Sequence, residues 1–179
     1  METHIALLRG INVGGQTLSM KELAPLCEKL GCASVRTYIQ SGNVVFRAKA
    51  ADLKDFERRL GAAIKKSRGF EPQIMVLKLK ELERAAAANP FPQADENHKA
   101  LHLMFLAGAA PQADLDSLQK LLTPTEQFEL KGKVFYFYAP DGIARSKAAA
   151  KIEKYLGVPG TGRNWRTVNK LIEMAKTLT

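Results

Sequence analysis

An α+β fold made of two successive units, each related to the ferredoxin-like β-α-β-β-α-β arrangement, is what this sequence predicts, and three observations carry the prediction. Residues 1–88 place short apolar runs and amphipathic stretches in the order β-α-β-β-α-β, which is the ferredoxin-like unit. Residues 100–179 run through nearly the same order again, as β-α-β-β-α-α. Between them, residues 89–99 collect two prolines, two asparagines and two acids, the composition of a linker. With 46% hydrophobic and 25% charged residues over a length of 179, the chain has enough apolar surface to build its core without staples.

His4 to Arg9 reads as a short buried strand. Ser19 and Glu22 make an S-x-x-E capping box, so a helix starts there and runs to about Leu30, with Gly31 closing it. Val35 to Ile39 and Val44 to Arg47 are rich in β-branched and aromatic residues and flank Ser41-Gly-Asn43, a tight hairpin turn. Asp52 is expected to cap a second helix, in which Leu53, Phe56, Leu60 and Ile64 fall at helical spacing and which stops before Gly69. Gln73 to Leu79 is a strand, and Lys80 to Ala88 a short helix ended by Asn89-Pro-Phe-Pro92.

In the second unit, Ala100 to Ala107 reads as a strand and Asp114 to Leu122 as a helix. Gln127 to Leu130 and Val134 to Ala139 form a hairpin turned at Lys131-Gly-Lys133. Two helices are expected to close the chain, over 145–156 and 163–176, so that a helix stands where the last strand of the unit would be. Along Val134-Phe-Tyr-Phe-Tyr138 the alternation sends Phe135 and Phe137 to the helices and Tyr136 and Tyr138 to the other face of the sheet. RNA-recognition modules stack bases on aromatics placed in that way. The chain lacks their K/R-G-F/Y-G/A-F-V-x-F/Y motif, so packing against protein is the expected use of these tyrosines.

Several chemistries find no support in the sequence. No apolar stretch approaches the ~18 residues that span a bilayer, and Met1 to Arg9 has no basic leader, so the expected location is the cytoplasm. Cys27 and Cys32 have neither C-x-x-C nor zinc-ligand spacing and read as buried thiols. His98 and His102 would share a helix face, but their segment reads as strand, so no metal site is expected. No G-x-x-x-x-G-K-[ST] or G-x-G-x-x-G motif is present, and no cofactor is expected. Charge is uneven: residues 131–179 hold ten Lys and Arg against three Asp and Glu, a net +7, while residues 1–130 hold seventeen against fifteen, a net +2.

Three polar segments concentrate residues whose value lies in hydrogen bonding and backbone freedom: Arg9-Gly-Ile-Asn-Val-Gly-Gly15, Thr37-Tyr-Ile-Gln-Ser-Gly-Asn43 and Thr161-Gly-Arg-Asn-Trp-Arg-Thr167. In a ferredoxin-like unit the end of the first strand lies beside the turn joining the second and third. Topology thus brings the first two segments together. Arg9 offers a cationic fork; Asn12, Tyr38, Ser41 and Asn43 offer further polar groups, and Gly14 and Gly15 expose backbone N–H groups. In the third segment Thr161 is expected to cap the last helix, with Arg163 and Asn164 beside its N-terminus. For each segment the alternative is structural: turn glycines with positive φ, asparagines bonded to their own loops, and Trp165 anchoring its helix.

With Met20 and the Ser146-Lys147 pair, these three segments resemble the signature of the domain of unknown function 1697 family (DUF1697) over nearly the whole chain. The resemblance implies two α+β subdomains related to the ferredoxin-like fold, at 1–88 and 100–179, and implies no role for any residue. Three functional readings remain open. One is a small anionic ligand, phosphate- or nucleotide-like, held between the subdomains by Arg9, Asn12, Ser41, Asn43 and Arg163. Another is nucleic-acid binding by the basic C-terminal region, through Arg145, Lys147, Lys151, Lys154, Arg163, Arg166 and Lys170. The third is a non-catalytic scaffold whose polar motifs lock two subdomains together. No Ser-His-Asp or Cys-His set is apparent and no general base can be named; any catalysis would be phosphoryl or acyl transfer assisted by Arg and backbone N–H groups.

Overall fold

The computed structural model describes residues 1–178. Its chain divides into two compact units, one formed by Met1–Arg84 with the C-terminal residues from Lys170, the other by Ala85–Asn169.

The first unit contains β1 (Glu2–Arg9), α1 (Met20–Lys29), β2 (Ala33–Tyr38), β3 (Asn43–Ala48), α2 (Phe56–Arg68) and β4 (Gln73–Lys78), followed by α3 (Leu79–Ala87). Its four strands form one antiparallel sheet in the order β2-β3-β1-β4. Ala6, Leu8, Val44 and Phe46 face α1 and α2, where they pack with Leu23, Cys27, Phe56, Leu60 and Ile64. On the other face Ile5, Leu7 and Val45 are also fully buried, which is why β1 reads as a continuous apolar run without alternation.

α1 starts as its capping box requires. Glu22 Oε2 accepts from the Ser19 backbone N–H at 3.3 Å and from the Ser19 hydroxyl at 2.7 Å. α2 starts later than expected, because Asp52 lies inside a 3₁₀ turn over Ala50–Leu53 and the helix begins at Phe56, after Asp55 in the left-handed region at φ 53°. The 3₁₀ turn accounts for Leu53 keeping its place in the helical spacing without belonging to the helix.

The second unit contains β5 (Leu101–Leu106), α4 (Leu115–Gln119), β6 (Gln127–Lys131), β7 (Val134–Tyr138), α5 (Ile152–Leu156) and β8 (Gly160–Asn164), and α6 (Trp165–Lys176) follows. Its sheet order, β6-β7-β5-β8, repeats that of the first unit strand for strand. Leu106, Phe135 and Phe137 pack with Leu118, Ile152 and Leu156 on the helix side. The fold is therefore α+β with two ferredoxin-like units, as the element order indicates.

The end of the second unit differs from the expectation. Residues 160–164 are not the approach to a helix but a strand, β8, antiparallel to β5 with Thr161 opposite Phe105 and Arg163 opposite Leu103. Two glycines in five residues conceal it, since glycine is depleted in strands. Gly160 is required there: a Cβ would lie 2.6 Å from Met104 Cγ and 3.0 Å from Leu106 Cδ2, so β8 approaches β5 where a side chain has no room. The helix expected over 145–156 is also interrupted. Two 3₁₀ turns, Ile143–Arg145 and Ala149–Lys151, precede the short α5, and extended Ser146 accepts the Ala149 N–H on its hydroxyl at 3.0 Å.

Part of the 89–99 segment is ordered by packing. Pro92–Asp95 forms a 3₁₀ turn, Phe91 stacks on Tyr138 at 5.7 Å, and Asp95 Oδ1 accepts from Trp165 Nε1 at 2.8 Å.

Candidate functional site

β1 and β3 pair antiparallel with Leu7 opposite Asn43, so the loop leaving β1 and the turn entering β3 meet at one end of the first sheet. The meeting is fastened by backbone and side chains together. The Leu8 N–H donates to Gly42 O at 2.8 Å. The Asn12 amide donates to Leu18 O at 2.9 Å and to Gln40 O at 2.6 Å, while its oxygen accepts the Leu18 N–H at 2.9 Å. Asn43, fully buried, donates to Tyr38 O and to Ser41 Oγ, both at 2.9 Å. Gly42 has φ +77°, and a Cβ on it would stand 2.6 Å from Ile11 Cδ1 and 2.7 Å from Leu8 Cβ. Glycine is thus demanded both by backbone angle and by close approach.

Beyond this clamp the loop ends in a miniature hairpin. Val13 and Gln16 bridge, with the Gln16 N–H donating to Val13 O at 3.0 Å, and Gly14 and Gly15 take φ +58° and +84°, the two positive values of a type I′ turn. Among the described residues, nothing accepts from the N–H groups of these two glycines, and no heavy atom lies within 4 Å of a Cβ built on either. Arg9 is exposed at the end of β1, opposite Gln73.

The structure thus gathers Arg9, Asn12, Gly14, Gly15, Tyr38, Ser41 and Asn43, and sorts them by use. The amides of Asn12 and Asn43 and the carbonyl of Tyr38 hold the loops in place; Arg9, Gly14 and Gly15 are exposed. Segments 9–18 and 37–43 contain no Asp, Glu or His, so the arrangement suits binding an anion better than transferring a proton.

Arg163 and Asn164 belong to the second unit, where both lie at the end of β8 that leads into α6. Thr161 is buried in β8 and caps nothing; Asn164 caps α6, its Oδ1 accepting the Thr167 N–H at 2.9 Å. Arg163 is a buried strand residue whose Nη1 donates to Gly162 O at 2.7 Å, and burial pushes its guanidinium down to about 10. Tyr136 is buried too, donating its hydroxyl to Ala85 O at 2.7 Å, and half-buried Tyr138 stacks on Phe91 at 5.7 Å, so both β7 tyrosines pack against protein. Burial likewise pushes the thiols of Cys27 and Cys32 up to about 12, the state of inert structural cysteines. Among the described residues no group of three or more His, Cys, Asp or Glu is placed to hold a metal ion, and no helix is long and apolar enough to cross a membrane.

Two ferredoxin-like units, the first carrying a glycine-rich loop clamp at one end of its sheet, define an α+β protein. Residues 1–136 match the family described as protein of unknown function (DUF1697), and the chain belongs to that family. Among solved structures it is similar to a conserved bacterial protein from Streptococcus pneumoniae, at 23% identity and a TM-score of 0.70, covering 98% of this chain and 99% of that one. At that identity the likeness shows the fold alone. No curated protein matches the sequence.

Proposed function

We propose that the protein binds a small anionic ligand, phosphate- or nucleotide-like, at the Arg9 end of the first sheet. The observation that carries this reading is the exposed hairpin tip at Gly14 and Gly15, whose two adjacent N–H groups find no acceptor among the described residues, on a loop that Asn12 fastens. Preorganised backbone donors bind an anion without first paying to order the loop. Arg9 adds a planar fork suited to phosphate or carboxylate. The reading places the protein in the cytoplasm, where phosphorylated metabolites are plentiful.

Amide resonances of ¹⁵N-labelled protein during titration with AMP test it. Gly14 and Gly15 should move together and saturably in the parent protein and cease to move in Arg9→Met. Shifts absent from both glycines at millimolar AMP and at millimolar inorganic phosphate would remove the reading.

A second reading draws on the exposed positions of Arg145, Lys147, Lys151, Lys154 and Arg166, a basic stretch suited to nucleic-acid phosphates. Buried Arg163 is lost to it, and Lys170 already pairs with Glu173 at 2.8 Å. Oligonucleotide binding through this stretch would weaken with salt at a log-log slope of about −0.9 per phosphate contacted. A ligand at the loop tip would respond far less.

A further inference from the structure

At the end of the first sheet opposite Arg9, a cavity of about 480 Å³ is bordered by Glu2, Thr3, Arg47, Lys78, Leu79 and Lys80. We propose that this cavity is a second binding site, for a phosphate-bearing small molecule. Thr3 and Arg47 are cross-strand partners on β1 and β3. Thr3 is only 7% exposed, yet among the described residues its hydroxyl has no hydrogen-bond partner, and neither has the buried Nε of Arg47. Buried polar atoms without partners are few in folded proteins, and two adjacent ones on a single cavity wall call for an acceptor from outside the chain. Both are donors seeking oxygen.

The charge of the lining points the same way. Lys78 Nζ lies 3.1 Å from Glu2 Oε2, and this pairing uses the one carboxylate of the wall. Arg47 and Lys80 pair with no carboxylate among the described residues. Lys78 precedes the nine-residue α3 and Leu79 and Lys80 open it, so the N-terminal end of this helix borders the cavity, with Glu81 Oε2 accepting the Lys78 N–H at 2.7 Å. A phosphomonoester carries a charge of about −1.5 to −2 at neutral pH, enough to answer both unpaired cations. The volume falls within the ~300–1,000 Å³ of small-molecule pockets and leaves space for an organic group beside the phosphate.

Isothermal titration of the full chain with ribose 5-phosphate and, separately, with inorganic phosphate tests the proposal. Thr3→Val keeps the shape of the side chain and Arg47→Met keeps its stem; each should weaken binding at least tenfold. Thr3→Val should also raise the melting temperature without ligand, because it removes a buried hydroxyl that nothing satisfies. Lys66→Met, on the exposed side of α2, should titrate like the parent. Preference for ribose 5-phosphate assigns the site to an ester, and equal affinity assigns it to free phosphate; the phosphate site stands in both cases. It is overturned if the parent binds neither compound, or if both variants bind as the parent does. Resonances of Gly14 and Gly15, at the far end of β1, distinguish this site from the loop tip, so the two readings fail separately.

Discussion

Asn12 donates to the carbonyl of Gln40 at 2.6 Å, joining the loop after β1 to the turn before β3 across 28 residues of sequence. The same amide holds Leu18 by two further hydrogen bonds, and the backbone at Asn12 sits at φ 55°, where asparagine is better tolerated than most residues. Asn12→Ala removes all three bonds and leaves a less suitable residue in the left-handed region, for a combined cost of about 2–3 kcal/mol. Asn12→Gly removes the bonds and relieves the backbone, so it should cost less, about 1–2 kcal/mol. Urea unfolding of both variants measures the difference; if each lies within error of the parent, Asn12 is not what holds the loops.

This clamp was half legible in the sequence. Topology alone brings 9–15 beside 38–43, because β3 lies between β2 and β1 in this fold. What the sequence does not reveal is the division of labour: Asn12 and Arg9 are both polar residues of one segment, and only the structure shows the Asn12 amide spent on backbone while Arg9 ends β1 in an exposed position. β8 was hidden for a different reason. Its Gly160 answers to Met104 and Leu106 on a strand more than fifty residues earlier, and no local pattern encodes that contact. Thr3 and Arg47 carry no motif at all. They become notable through their register and their missing partners.

Tyr136 is placed by its hydroxyl as well as by its ring. Buried at 1% exposure, it donates to Ala85 O at 2.7 Å, so Tyr136→Phe keeps the packing and orphans that carbonyl. The expected loss is about 1–2 kcal/mol by chemical denaturation. An unchanged midpoint would mean that water or another donor replaces the hydroxyl.

Cys27 and Cys32 should be protected in the native protein. With both thiols at about 12, the thiolate fraction at pH 8 is on the order of one in ten thousand, and burial restricts access as well. Iodoacetamide at pH 8 should leave both unmodified over an hour in buffer and alkylate both in 6 M guanidinium chloride, as read by intact mass. Rapid native labelling of either one would show that the C-terminal end of α1 opens readily.

His4 and His102 should make the protein less stable below neutral pH. Burial lowers both from an ordinary value near 6.5. For His4 the geometry supplies the reason: Nδ1 faces the Glu2 carbonyl at 3.0 Å and therefore carries the hydrogen of the neutral ring, while buried Nε2 has no hydrogen-bond partner among the described residues to receive a second one. The Glu2 carboxylate, 4.0 Å from Nε2, pulls in the opposite sense without overcoming burial. Because the folded state holds fewer protons than the unfolded chain just below pH 6.5, this contribution is complete above that pH and declines as pH falls toward the lowered folded values. Between pH 7.5 and 5.5 the melting temperature should drop by about 2–4 °C for each kcal/mol lost. The double variant His4→Phe, His102→Leu should flatten that dependence while carboxylates remain ionised. An equally steep drop in the double variant would place the titration on other groups.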